Sequence, residues 1–416
     1  MGHDRPDFQG VPLDRATVPQ AMLNIDNKLR SNLFPWNGQF SPQLIETLLH
    51  TYAPKQGLVL DPFAGSGTVL YEAGTLGMPV VGAEINPAAC KMAQVYRLMN
   101  FRVAKRKTLA NRLDRTLQEH LPDEDSPLFG RNGQGATKGP KEVLVEIRGG
   151  LHDEANCIML EALIVLADFY KEVTTEKVFD KWAKLKSRIL TLPESMTAIT
   201  LLNCDARSLP LRDDEVDFVI TSPPYINVFN YHQQYRRSVE ALGWDLLAVA
   251  RSEIGSNRKH RQNRLLTVVQ YCLDMTDVLR ELRRVCKEGS RIVMIVGRES
   301  NVRKTRFFNG EIMTELASRC VGFEVVSRQE RLFMNRFGEQ IYEDILHFEV
   351  KKGQGHEEPR AIGREVLLKA RKRAPEESLA DLEEALSLAD EVQVSPLYKL
   401  DAAMSRPSRA GKALPT

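Results

Sequence analysis

Six cysteines are scattered through the 416 residues, at positions 90, 157, 204, 272, 286 and 320, and no two of them form Cys-x-x-Cys. That spacing suggests neither a zinc site nor a disulfide framework; reduced thiols and no bound metal are expected. Long apolar runs are missing too. The most apolar stretch, Cys157 to Tyr170, is short and carries Glu161 and Asp168, so it reads as a buried helix rather than a membrane span. Residues 1–20 are polar and contain proline, unlike the apolar core of a signal peptide, and a cytoplasmic protein is expected. Net charge is only +2, so bulk charge announces no polyanion partner, and any such site must come from local clustering. No Gly-Lys-Ser/Thr follows Gly65 and Gly67, which excludes a P-loop, and position 70 is leucine, which removes the third glycine of a dinucleotide fingerprint. What remains is 43% hydrophobic and 27% charged, an ordinary globular chain long enough for one large or two ordinary domains.

The chain opens with weak signals over residues 1–30, read as an irregular arm. An aromatic loop, Phe34 to Phe40, leads to Ser41-Pro42, a helix start with serine as N-cap and proline in the first turn. Gly57 to Leu60 is a short apolar strand that runs into Asp61-Pro-Phe-Ala-Gly-Ser-Gly-Thr68. A helix to Leu76, a strand from Pro79 to Ala83 and a helix opened by Asn86-Pro87 complete a βαβ unit, which implies a parallel sheet. Residues 101–198 break this rhythm: a basic stretch, a Gly-rich polar segment around 130–139, then helical runs near 152–171 and 175–191. Strands resume at Ile199–Leu202 and at Val216–Ile220. A helix near 266–286 follows, then a strand at 291–296, a helix at 310–320, and strands at 323–326 and 342–350. Residues 353–416 read as an appended region of one charged helix, about 375–391, and a mobile tail.

Two loops carry the chemistry. Strand, Gly65-x-Gly67, helix, and a carboxylate, Glu84, 19 residues after Gly65 at the next strand's end form a nucleotide-type layout. By itself this also fits a tight βα turn with no ligand. Asp61 at the strand tip repels phosphates and suits an ammonium, so a ligand with adenosine, ribose and an amino-acid ammonium fits the set, as S-adenosylmethionine does. The second loop, Thr221-Ser222-Pro223-Pro224-Tyr225, leaves a strand through two prolines that have no N–H to give. It is a rigid turn, able to present acceptors and a flat ring to a planar group bearing an amine.

Asp61 to Thr68 together with Thr221 to Tyr225 resembles the amino-group DNA methyltransferases, over about residues 31–100 and 199–350. Ser-Pro-Pro-Tyr is the form typical of their N4-cytosine branch. The resemblance implies a Rossmann-like class I methyltransferase fold of the α/β class. Its sheet would be mostly parallel and seven-stranded, with an antiparallel last strand, and a helical insertion would be added. It divides the chain into an arm (1–30), a cofactor-binding half (31–100), an insertion (101–198), a catalytic half (199–352) and a C-terminal region (353–416). Phe40, Asp61, Phe63, Gly65, Gly67, Thr68, Glu84, Asp205 and Thr221 would bind S-adenosylmethionine, with Asp205 at the adenine ring. Ser222, Pro223, Pro224 and Tyr225 would act on the base. The substrate would be double-stranded DNA, with a restriction–modification setting and a cognate nuclease as partner. The chain holds no Pro-Cys pair, which argues against 5-methylcytosine chemistry. Adenine N6 remains open, since both amines want the same acceptors. So does RNA guanine N2, although that group carries an RNA-binding domain upstream and only about 56 residues precede the first strand here. A non-catalytic nucleic-acid binder on the same scaffold is the remaining alternative.

Candidate DNA contacts follow the catalytic loop. Tyr231, Gln233, Arg236 and Arg237 mix amide, aromatic and cationic groups, and Arg258, Lys259, Arg261 and Arg264 form a basic run. Such a run is also what a solvated face looks like. Arg298 to Arg306 is a second basic candidate, and 102–115 reads equally as the polar face of a helix.

Overall fold

The computed structural model describes residues 8, 10–121, 138–226, 233–256, 260, 262–334, 338–353 and 355–400. In chain order the elements are α1 (Gln20–Asn24), α2 (Pro42–Tyr52), β1 (Val59–Asp61), α3 (Thr68–Thr75), β2 (Val80–Ala83) and α4 (Pro87–Ala93). The insertion supplies α5 (Val103–His120), α6 (Pro140–Gly150), α7 (Glu154–Ala167) and α8 (Thr175–Thr191). Then come β3 (Ile199–Leu202), β4 (Val216–Thr221), α9 (Arg236–Ala241), α10 (Leu246–Ser252), α11 (Leu266–Val285) and β5 (Cys286–Gly297). The chain goes on through β6 (Glu299–Val302), β7 (Thr305–Phe308), α12 (Asn309–Glu315), β8 (Glu324–Met334), β9 (Gln340–Glu349), α13 (Pro359–Arg371) and α14 (Glu376–Leu388).

Seven strands form one sheet in the order β3-β2-β1-β4-β5-β9-β8. Pairs among the first five are parallel, and β9 runs antiparallel to both of its neighbours. This is the Rossmann-like class I methyltransferase arrangement expected from the sequence. Strands covered on both faces must be apolar at every position, and successive side chains serve opposite layers. Val59, Phe218, Ile220, Val293 and Ile295 join a core with α2 to α8, whereas Leu60, Val219, Ile292, Met294 and Val296 join one with α11 to α14. The 101–198 segment therefore shares the core of one sheet face: α7 packs on α4, and Lys91 on α4 pairs with Glu161 on α7 at 2.8 Å.

Strand order reverses between β2-β1 and β4-β5, so a crevice opens above the carboxyl ends of β1 and β4. The arm does more than the sequence suggests. It runs along the open edge of β8, where Asp14 N donates to Arg328 O at 2.8 Å and Leu332 N to Asn24 Oδ1 at 2.9 Å. That covers an edge otherwise free to pair with another chain.

Several expectations change. Ser41 stands at the N-cap of α2, but its hydroxyl makes no capping bond. The C-terminal region holds two helices where one was expected, and α13 packs on α11 with Ile362 and Leu367 buried. The stretch expected to form part of a mobile tail begins as an ordered strap: Ser395 is 3% and Tyr398 8% exposed. Residues 401–416, the rest of that tail, lie outside the described residues, as does most of the Gly-rich 130–139 segment. No described helix is long and apolar enough to cross a membrane.

Candidate active site

The two motif loops meet. Asp61 ends β1 and Thr221 ends the neighbouring β4, and Thr221 Oγ1 donates to Asp61 Oδ1 at 2.7 Å. Phe63 N donates to the same oxygen at 3.1 Å, while Oδ2 has no partner among the described residues. Asp61 is 1% exposed, and burial outweighs these bonds, pushing its pKa up to about 7. Glu84, at the tip of β2, accepts from Gly65 N at 2.8 Å and from Asn86 N at 2.7 Å, and burial pushes it up to about 7 as well. Gly65 and Gly67 both have positive φ, 50° and 89°, which turns the backbone tightly into α3. The Asn86 side chain then caps α4 by accepting from Ala88 N and Ala89 N.

The aromatic loop is stitched to this turn. Ser66 Oγ donates to Gln39 Oε1 and Thr68 Oγ1 to Asn32 Oδ1, both at 2.9 Å, and Asn32 Nδ2 donates to Phe40 O at 2.6 Å. Asn32 and Gln39 were not singled out in the sequence; the only signal was one amide just before the aromatic loop and one within it.

A cavity of about 700 Å³ lies above these loops. Phe40, Phe63, Gly65, Thr68, Glu84, Asp205, Ser222, Pro223, Pro224 and Tyr225 all line it, so cofactor and catalytic candidates share one space. Asp61, Gly67 and Thr221 sit behind that lining. Its volume suits a ligand of cofactor size. The free Oδ2 of Asp61 and the carboxylate of Glu84 suit a cation and ribose hydroxyls, so the residues fit S-adenosylmethionine.

Asp205 is more constrained than the sequence implies. Arg207 donates to it from Nε at 2.9 Å and Nη2 at 2.7 Å, and Tyr398 N donates to its Oδ2 at 2.8 Å. Arg207 also donates to Asp274 at 3.1 Å and to the carbonyl of Ser395 at 2.8 Å. Tyr398 OH donates to Asn203 Oδ1 at 2.6 Å, and Asn203 Nδ2 to the carbonyl of Glu84 at 2.7 Å. The strap thus braces the wall that carries Glu84 and Asp205.

In the Ser222–Tyr225 loop, the hydroxyls of Ser222 and Tyr225 lie 3.3 Å apart in hydrogen-bond contact. The Tyr225 ring rests on Gly297 of β5, where an added Cβ would lie 3.1 Å from Cε2. Ser252 to Ser256 close the cavity beside it.

Of the DNA candidates, Gln233, Arg237 and Arg264 are exposed. Arg236 pairs with Glu240 at 2.6 Å, and Arg237 stacks 4.7 Å over the Tyr170 ring. Tyr235 OH donates to Pro35 O at 3.0 Å, which seats this stretch against the aromatic loop. Tyr231, Arg258, Lys259 and Arg261 lie outside the described residues. The second basic candidate is spent internally: Arg298 pairs with Glu330 and Asp344, Arg303 with Asp381, Lys304 with Glu377 and Arg306 with Glu299. Among the described residues no cluster is placed to hold a metal ion.

A family model described as "DNA methylase" matches residues 19–95. The chain is 22% identical to the type II methyltransferase M.MjaII of Methanocaldococcus jannaschii, over 75% of this chain and 79% of that protein. It is 29% identical to the tRNA (guanine(10)-N2)-dimethyltransferase of Methanothermobacter thermautotrophicus, over 29% of this chain and 36% of that protein. A SAM-dependent methyltransferase structure from Methanosarcina mazei aligns with a TM-score of 0.32 at 12% identity, covering 73% of this chain and 96% of that one.

Proposed function

We propose that the protein is an S-adenosylmethionine-dependent DNA methyltransferase of the type II restriction–modification kind, and that its target is the N4 amine of a flipped cytosine. The observation that carries this reading is the contact between Thr221 and Asp61. It joins a cation-seeking carboxylate to a loop of rigid acceptors, and both loops open on one cavity. The likeness to a "DNA methylase" model and to M.MjaII supports DNA as the substrate. The cofactor, when bound, supplies an electrophilic methyl group on a sulfonium.

The chain's own residues do the rest. An exocyclic amine is a poor nucleophile because its lone pair is delocalised into the ring. The Ser222 hydroxyl oxygen and the Pro223 carbonyl accept its two N–H bonds and draw it toward tetrahedral geometry. Pro223 and Pro224 hold those acceptors still, and fixed acceptors lower the barrier without reorganising. Tyr225 stacks on the base and, through its bond to Ser222, aims that hydroxyl. Inside a duplex the amine cannot reach the cavity, so the base leaves the stack. Of the described candidates, the exposed Gln233, Arg237 and Arg264 are available to meet the backbone.

Sequencing DNA from an expressing host with modified-base detection tests this. N4-methylcytosine at one recurring sequence is expected, and it should vanish with Ser222→Ala. N6-methyladenine instead would move the target to adenine; no modified amine in DNA would overturn the reading. A second reading, guanine N2 in RNA, is favoured by the likeness to the tRNA enzyme, and modified-nucleoside analysis of the same host's RNA decides it.

A further inference from the structure

The sheet continues past the catalytic loop, and what it carries there is not explained by methyl transfer. The Tyr225 ring lies on Gly297 of β5. Gly297 stands directly opposite Glu343 on β9, and Glu343 directly opposite Arg331 on β8. Residues facing each other across antiparallel strands point to the same side, with Cβ atoms about 5 Å apart. Glu343 and Arg331 therefore lie on the face that carries the Tyr225 ring, about one and two strand spacings away. Phe333, two residues after Arg331, shares that face. Tyr225, Glu343, Arg331 and Phe333 line the cavity that Ser222 lines.

Arg331 and Glu343 form an ion pair at 2.7 Å, with side chains only 7% and 17% exposed. The guanidinium is held from three sides: Nε donates to Leu23 O at 2.9 Å, Nη1 to Glu343 Oε2, and its plane lies 4.3 Å over the Phe333 ring. Nη2 of Arg331 and Oε1 of Glu343 have no partner among the described residues. A buried guanidinium fixed this firmly, with three of its five N–H groups unspent (two on Nη2, one on Nη1) and lining a cavity, is built to meet acceptors that arrive with a ligand.

We propose that the Arg331–Glu343 pair reads the ring edge of the target base, the unspent N–H groups of Arg331 Nη1 and Nη2 donating to the acceptors beside the reacting amine. This rests on the base-amine reading above. Beside its amine cytosine offers two adjacent acceptors, N3 and O2. Adenine offers N1 and then a C–H. A planar fork matches the first pattern and leaves a donor unmet with the second, so the pair favours cytosine where Ser222 and Pro223 accept either amine. Phe333 and the arm carbonyl of Leu23 keep the fork in plane.

The test uses the full-length enzyme and a duplex bearing the sequence found in the host DNA. The target is either cytosine or 3-deazacytosine, which keeps the amine and replaces N3 by C–H. Wild type is expected to lose about 10–100-fold in kcat/KM on the analogue beyond any intrinsic reactivity difference. Arg331→Lys keeps the charge and loses the fork, so the penalty should shrink at least fivefold while cofactor affinity, measured by calorimetry, stays unchanged. Glu343→Gln is isosteric and should shrink it in the same way, which keeps the test decisive if the lysine variant does not fold. An undiminished penalty in folded variants overturns the proposal while leaving the methyltransferase reading intact. Absence of any modified base in the host would remove that reading instead.

Discussion

Gly255 offers a direct measurement of how tightly the Ser222–Tyr225 loop is held. Its φ is +71°, and a Cβ built on it would lie 2.3 Å from the carbonyl oxygen of Tyr225 and 3.2 Å from the carbonyl carbon. Carbon and oxygen in ordinary contact stay about 3.3 Å apart. Gly255→Ala must therefore push the Tyr225 backbone, or the 252–256 loop, by about 1 Å. The Ser222 and Pro223 acceptors are on the same short rigid stretch, and a misplacement of about 1 Å can cost on the order of a hundredfold in rate. The substitution also carries the left-handed backbone cost, about 1–2 kcal/mol. Gly289 separates the two effects: its φ is +77° and nothing lies within 4 Å of the added Cβ. Gly289→Ala should lower stability by the same 1–2 kcal/mol and leave turnover alone. Gly255→Ala should lose kcat by about a hundredfold, with cofactor affinity by calorimetry within about twofold of wild type. Radiolabelled methyl transfer to host DNA reads the first quantity and denaturant unfolding the stability cost. If Gly255→Ala turns over within about threefold of Gly289→Ala, the claim that a rigid Tyr225 loop sets the rate is wrong.

In the proposed reading the cofactor's ammonium pairs with an ionised Asp61, and burial holds both Asp61 and Glu84 at about 7. Affinity by calorimetry should therefore tighten on the order of tenfold from pH 5.5 to 7.0, below the ligand's own amine pKa of about 7.7–8. A flat profile would discount these carboxylates. Folding responds in the opposite sense. Both folded-state values lie above the ordinary ones, so the stability they contribute is complete below about pH 4 and is lost as pH rises through about 7. Thr221→Val removes a bond that lowers the Asp61 pKa, so the binding transition should move to higher pH; an unmoved midpoint would contradict the assignment. Arg207→Met leaves Asp205 and Asp274 buried without their cation, and should destabilise by about 3–5 kcal/mol in denaturant; a loss under about 1 kcal/mol would mean the network is not holding the wall.

Much of this site could be read from residues because its signals are local. Asp61 to Thr68, Glu84 and Ser222 to Tyr225 stand at strand tips, where alternation and proline chemistry are unambiguous, and the Asn86 cap follows from two residues. Elements held by distant partners could not be read this way. β8 continues to Met334 although Glu324, Arg328, Glu330 and Arg331 resemble a solvated run, because Arg331 pairs with Glu343 and Arg328 with Glu330. The β6–β7 hairpin turns on Arg303 and Lys304, both at positive φ, 50° and 59°, where glycine or asparagine would have announced it. The strap at Ser395 and Tyr398 has no periodicity at all; its partners are residues 121 to 195 positions earlier. Cations told least, since a basic run looks alike whether it meets DNA or, as at Arg298 to Arg306, its own carboxylates.

That strap sets a clock on biosynthesis. Tyr398 is 193 residues downstream of Asp205. At translation rates of about 5–20 residues per second, the amide that completes Asp205's shell arrives roughly 10–40 seconds after the carboxylate itself. Through that interval Arg207 lacks the carbonyls of Ser395 and Pro396, and the wall bearing Glu84 stands unbraced. A nascent chain that already displays both motif loops therefore has an unfinished wall beside them, and the site is completed only when synthesis has passed Tyr398.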